Sequence, residues 1–277
     1  MTTLSAFNRF TDGLTEEDQL MPVLFMGHGS PMNGIEDNEF SRYWKKLANE
    51  IPTPKAVLVV SAHWLSKGTR ITAMDFPKTI HDFGGFPKEL FDVQYKAPGN
   101  PALAKETASL LKSAQVELDH DWGLDHGAWT VIRHMYPEAQ IPVLQLSIDY
   151  TKGPQYHYDL AKELYNLRKK GVLIVGSGNM VHNLRMVAWD RLDDKEYGYD
   201  WAVQMNTTFK DLISKGHHDK LIRYETLGRE AMLAIPTPEH YWPLLYTLGL
   251  KNEKEDVSFF NDKLVGGSLT MTSVKIG

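Results

Sequence analysis

The chain has 277 residues, 42% of them hydrophobic and 23% charged, with a formal net charge of −5 and no cysteine. That length supports one large α/β domain or two small ones, and the lack of a basic block argues against nucleic acid or an anionic membrane as partner. Without cysteine, disulfides, iron–sulfur clusters, cysteine-held zinc and thiol nucleophiles are excluded, so any metal must be held by His, Asp or Glu, and a reducing, cytoplasmic location is expected.

No apolar run reaches the length of a transmembrane helix. Residues 1–20 are polar and acidic, lack the apolar centre of a signal peptide, and are expected to be a loose lead-in to a domain over 21–277. That domain opens on MPVLFMGHGSPMN, residues 21–33. Its apolar run stops at Gly27-His28-Gly29-Ser30-Pro31, which predicts a buried strand delivering His28 to the carboxyl edge of a sheet. Open α/β folds bind their ligands at that edge. Residues 39–51 carry Phe40, Trp44, Leu47 and Ile51 at helical spacing, closed by Pro52 and Pro54.

Residues 55–62 form a second apolar, β-branched strand that ends at His63, and 69–74 alternate as a third. The loop His81-Asp82-Phe83-Gly84-Gly85-Phe86-Pro87 combines two glycines with two aromatic rings. Asn100-Pro101 caps a helix expected through residue 113. A short strand over 116–119 leads to a turn, 122–127, that carries His126 into a helix over 128–136. A strand over 141–148 and a helix over 156–170 follow. Residues 171–178 read as a strand ending in a Gly-rich turn that presents His182. Helices are expected over 198–215, 224–233 and 241–248, the last opened by Thr237-Pro238-Glu239-His240. Strands over 256–261 and 268–276 close the chain. The alternation predicts a single α/β domain with a central mixed β-sheet flanked by helices.

A lone histidine is usually structural, so position decides among the eleven present. His28, His63, His126, His182 and His240 each end an apolar run or sit in a Gly/Pro-bounded turn, where sites are built. His81 lies in a loop suited to fold over a pocket. His134 falls inside a helical pattern and reads as packed or surface, while His120, His157, His217 and His218 have polar neighbours and read as solvated. Gly176-Ser177-Gly178 does not spell G-x-G-x-x-G, because Val181 holds the third glycine position, so no nucleotide is expected. Nor does Ser177 stand in G-x-S-x-G.

Taken in order, the His28-Gly29-Ser30-Pro31, Ser61-Ala62-His63-Trp64, His81–Pro87, Asp125-His126-Gly127, Gly176-Ser177-Gly178-Asn179 with His182-Asn183, and Thr237–Tyr241 motifs resemble the class III extradiol ring-cleaving dioxygenases. The nearest branch is the 4,5-DOPA extradiol dioxygenase group, and the resemblance runs from about residue 21 to the C-terminus. It implies a mixed sheet between helical layers, with His28, His63 and His240 as metal ligands. His182 would stand beside the metal as an acid/base or as a fourth ligand, with His126 as the other pocket histidine. Glu239 is the alternative third ligand, because related non-haem iron sites use two histidines and a carboxylate.

The implied cofactor is one divalent metal per chain, Fe(II) for dioxygenase activity, with zinc also compatible with three histidines. The implied substrates are a catechol such as DOPA and O2, giving a ring-opened semialdehyde. His81, Phe83, Phe86 and Tyr241 would line the ring's binding site. Two rival readings use the same residues: a zinc-dependent hydrolase, and a non-catalytic binding protein on the same scaffold.

Overall fold

A computed structural model describes Leu14 and residues 19–192 and 194–277. Apart from Leu14, Gln19 and Leu20, the lead-in expected over residues 1–20 lies outside the described residues. The strands in chain order are β1 (Val23–Gly27), β2 (Ala56–Ser66), β3 (Thr69–Thr72), β4 (Val116–Asp119), β5 (Val143–Asp149) and β6 (Val172–Gly178). They are followed by β7 (Val257–Phe260), β8 (Leu264–Val265), β9 (Leu269–Thr270) and β10 (Ser273–Ile276). Among the described residues an eight-stranded sheet has the order β4-β3-β5-β2-β6-β1-β10-β7. Its centre, β5-β2-β6-β1, is parallel. β3 joins antiparallel on one side, and β10 and β7 on the other, so the sheet is mixed as expected.

Alternation along the central strands builds two cores. Val23, Phe25, Leu58, Val60, Leu144, Leu146 and Ile174 face one core, shared with helices Pro101–Leu110, Asp200–Ser214 and Trp242–Gly249. Leu24, Met26, Val57, Val59, Leu173 and Val175 face the other, against helices Glu39–Glu50 and His126–Met135. Because both faces are covered, these strands read as continuous apolar runs rather than as a clean alternation. The helix Glu39–Glu50 starts at Asn38, whose side chain accepts from Ser41 N–H while Ser41 Oγ accepts from Asn38 N–H. It buries Trp44 and Leu47, the latter contributing about 1.5–3 kcal/mol. On the far side, Arg168 is fully buried, donates to Met21 O and Leu250 O, and pairs with Glu255. It thereby ties the entry of β1 to the C-terminal part of the chain.

Several expectations change. The helix over 224–233 is a 3-10 turn, Tyr224–Leu227, and a helix, Arg229–Ala234, and the strand over 268–276 is two pieces, β9 and β10. β2 does not stop before His63: it runs on to Ser66, and its register with β5 jumps between Val60 and Leu65. Irregularities of this kind re-aim side chains beside active sites. β6 stays extended through Gly178 instead of turning, because its glycines serve close approach: a Cβ at Gly176 would lie 2.3 Å from Pro243 O, and one at Gly178 2.1 Å from His240 O. The helix over 156–170 is two pieces, Pro154–Lys162 and Tyr165–Lys169, joined by tighter i→i−3 bonds at Glu163 and Leu164. His157 is not solvated: it is fully buried, with Nδ1 3.1 Å from Tyr246 Oη and its ring against Trp242.

Candidate metal centre

The carboxyl ends of β1, β2 and β6 converge, and histidines gather there. His28 follows β1 directly, its N–H bonded to Gly178 O at the end of β6. His63 sits in the irregular stretch of β2. His126 is the first residue of the helix His126–Met135, whose N-cap is Asp125. His182, just beyond β6, is held by its N–H on Ala234 O and by a bridge to Leu269. His240 precedes the helix Trp242–Gly249, and its carbonyl accepts from Asn179 N–H. Residues as distant in sequence as His28 and His240 therefore have ring centroids 5.4 Å apart.

Polar partners at Nδ1 mark which nitrogen faces the centre in four of the rings, those of His28, His63, His126 and His240. Ser177 Oγ donates to Gly127 O (2.5 Å), so His28 Nδ1, 3.0 Å from the same oxygen, must donate to it. Asp82 accepts from His126 Nδ1 (2.9 Å) and from His126 N–H (2.9 Å), and lies 3.4 Å from His63 Nδ1. Glu239 Oε1 lies 3.3 Å from His240 Nδ1. With the protons on Nδ1, the Nε2 lone pairs are left for the centre. His28 Nε2 and His63 Nε2 are 3.1 Å apart. Two facing lone pairs repel unless a cation lies between them. Two nitrogens about 2.1 Å from one ion stand roughly 3 Å apart when the bonds meet near a right angle.

Ring spacing sorts the cluster further. Two imidazoles on one ion, with bonds of about 2.1 Å, place their centroids roughly 4.5 Å apart at a right angle and about 5.2 Å apart at the tetrahedral angle. His28, His63 and His240 form a nearly equilateral triangle of 5.0, 5.4 and 4.9 Å. The donor nitrogens of a different trio, His28, His63 and His126, all lie within 4.8 Å of one another. The His63 and His126 rings, however, are only 3.8 Å apart, and both turn Nδ1 toward Asp82. The His182 and His240 rings are closer still, at 3.6 Å. By either criterion a three-histidine cluster able to hold a divalent metal is present.

Burial favours the neutral form of His28, His63, His182 and His240. It pushes His28 and His240 well below the usual histidine range, helped by the neighbouring imidazoles. Burial and His126 lower His63 to about 3 against the pull of Asp82, and burial lowers His182 to about 4 against Glu239. Burial opposes ionisation of Asp82, but the hydrogen bonds and charge of His126 outweigh it and hold the carboxyl below its ordinary value. Asp125 goes the other way. Burial and the nearby Asp82 raise it, although Gln145 and Ser61 bond to its carboxylate. Ser61 Oγ in turn accepts from His63 N–H, so a buried Gln145–Asp125–Ser61 chain backs the His63 main chain.

Phe83 meets the edge of the His126 ring and packs on Phe86 and Phe91, placing the Gly-rich loop over this side of the cluster. His81 does not reach in. Its Nε2 is spent on Val93 O, so it secures the loop. Tyr241 is a correction: it is buried between Phe209 and Tyr224, with its hydroxyl donating to Leu221 O, and it belongs to the core rather than to a substrate wall. The sequence alone assigns no role to Asp82, Ser177, Asp125 or Ser61, although all four lie within the motifs that carry the resemblance.

A parallel-centred α/β sheet with a histidine cluster at its carboxyl edge defines a metal-site enzyme fold. The family model for the catalytic LigB subunit of aromatic ring-opening dioxygenase matches residues 22–272. An Escherichia coli K12 protein named 4,5-DOPA dioxygenase extradiol is 47% identical over 93% of this chain and 95% of its own length. The Beta vulgaris protein of that name is 35% identical over 94% and 97%. The crystal structure of an uncharacterised Escherichia coli K12 protein superposes with a TM-score of 0.80 at 42% identity, over 93% of this chain and all of that one. The chain belongs to the LigB family of aromatic ring-opening dioxygenases. Family and site together make it an extradiol-type, ring-cleaving enzyme for an aromatic substrate.

Proposed function

We propose that this chain opens the ring of a DOPA-like catechol with O2, giving a semialdehyde, at one divalent metal held by His28, His63 and His240. The observation that carries the ligand set is the near-equilateral spacing of those three rings. The choice of substrate is supported by the name shared by relatives that span nearly the whole chain. Bound Fe(II) would hold catechol and O2 together and supply the electron transfer between them.

The chain's own residues supply the rest. His182, neutral at pH 7 because burial lowers it to about 4, takes a catechol proton on a ring nitrogen and returns it later. His126, its Nδ1 spent on Asp82, keeps Nε2 to accept from a substrate hydroxyl. Phe83 and Phe86 give the ring an apolar face and keep water away. Glu239 stays off the metal and orients His240 through Nδ1. Among the described residues no helix is long and apolar enough to cross a membrane, and the cysteine-free chain suits the cytoplasm.

The test is anaerobic loading with Fe(II), then oxygen uptake across a catechol panel. Uptake with L-DOPA and a yellow product supports the reading. Turnover with zinc and no need for O2 replaces it with the hydrolase.

A further inference from the structure

One carboxylate, Asp82, serves two histidines and a helix end at once. Its Oδ1 accepts from the backbone N–H of His126, and its Oδ2 lies 2.9 Å from His126 Nδ1 and 3.4 Å from His63 Nδ1. The helix His126–Met135 leaves its first N–H groups without intrahelical partners, so that bond also anchors the helix start. The same oxygen therefore faces the Nδ1 atoms of both rings. We propose that Asp82 is a positioning residue that fixes the Nδ1–H tautomer of His63 and His126 together, holding their Nε2 lone pairs toward the metal site.

The proposal rests on His63 being a ligand and His126 a pocket histidine, as above. It supplies something three neutral imidazoles lack. In sites with two histidines and a carboxylate, the negative charge sits on the metal itself. Here it would stand 3.4 Å behind the Nδ1 of the ligand His63, where such partners orient ligand rings and raise their basicity. Ser177 performs the orienting half of this role for His28, without the charge.

Geometry makes the amide substitution informative. A backbone N–H cannot change its proton, so in Asp82→Asn the amide oxygen must stay on His126 N–H. The NH2 group then takes the place of Oδ2 and faces both Nδ1 atoms. To accept from it, His63 must move its proton to Nε2, which removes the lone pair the metal needs, and His126 must do the same, which removes its acceptor for the substrate. Asp82→Ala leaves space instead and imposes no tautomer. A tautomer-setting role therefore predicts that the isosteric Asn is the more damaging change, whereas a packing role predicts that Ala is.

The experiment titrates the metal-free wild type, Asp82→Asn, Asp82→Ala and Asp82→Glu with Zn2+ against a competing chelator, with apo melting temperatures alongside. The Asn variant is expected to melt close to wild type and to bind zinc about 10–100-fold more weakly. The Ala variant should lose less than Asn, and Glu should restore part of the loss. Asn affinity within twofold of wild type, or a larger loss in Ala than in Asn, overturns the proposal. If the Asn protein does not fold, Glu binding no better than Ala overturns it, and Glu binding better than Ala supports it. The readout needs no oxygen chemistry, so absent dioxygenase turnover would remove the proposed reaction and leave this result standing.

Discussion

The rings of His182 and His240 lie face to face, with centroids 3.6 Å apart and planes 8° from parallel. Two stacked rings cannot both point a nitrogen at one ion with ordinary bond angles, so with His240 as the proposed ligand His182 would stand alongside the metal rather than on it. His182→Ala should therefore keep most of its metal while ring cleavage falls roughly 10²–10⁴-fold, the range for a general acid/base. Metal analysis and oxygen uptake on the same sample check this. Loss of metal in that variant would make His182 a fourth ligand.

Single alanine variants at His28, His63 and His240 should each lose bound metal and remain folded, by elemental analysis and circular dichroism. His126→Ala and Glu239→Gln should retain it. The His126 result separates the ring-spacing triangle from the trio chosen by nitrogen proximity. Full metal content in His240→Ala, with loss in His126→Ala, would reverse the assignment.

Glycines at the site act through space. At Gly127, which has an ordinary backbone conformation, a Cβ would meet Ser61 Oγ at 2.5 Å and His63 Cδ2 at 2.9 Å; at Gly178 it would meet His240 O at 2.1 Å. Gly178→Ala presses on main chain and should cost about 1–3 kcal/mol of stability, as overpacking does. Gly127→Ala presses on the His63 ring and should weaken metal binding more than it lowers the melting temperature. Denaturant midpoints and zinc titration distinguish the two.

Stability of the metal-free protein should fall as pH drops below about 6.5. Unfolded histidines take up protons there, whereas burial delays His157 and His182 to about 4 and His63 to about 3 in the folded state. Between those values the unfolded chain binds more protons, so the slope of stability with pH is positive. Urea midpoints at pH 7.5, 6.0 and 5.0 should decrease in that order. A flat series would mean that the buried histidines are protonated in the fold.

The histidine positions were legible because each ends an apolar run or sits in a Gly/Pro turn, and that placement survives folding. The sheet was legible for the same reason, since two covered faces leave unbroken apolar strands such as β6. Partnerships were not. Nothing local says that His182 stacks on a residue 58 positions later, or that the Gly-rich stretch stays extended to admit His240. Asp82 was hidden by its neighbours, although an acidic residue beside a histidine in a Gly-rich loop is a signal worth weighing. His157 was misread from its polar neighbours, whereas its helical spacing to Leu160, Ala161 and Leu164 marks a buried face. Tyr241 was assigned to the pocket for standing next to His240, but adjacent residues at a helix start point different ways.

The most direct measurement is the fate of labelled oxygen. Fe(II)-loaded enzyme turning over L-DOPA under ¹⁸O2, sampled by mass spectrometry before exchange with water, should place both labelled atoms in the ring-opened product. A ring-opened or hydrolysed product without label, or no oxygen uptake by protein shown to contain Fe(II), would contradict the account.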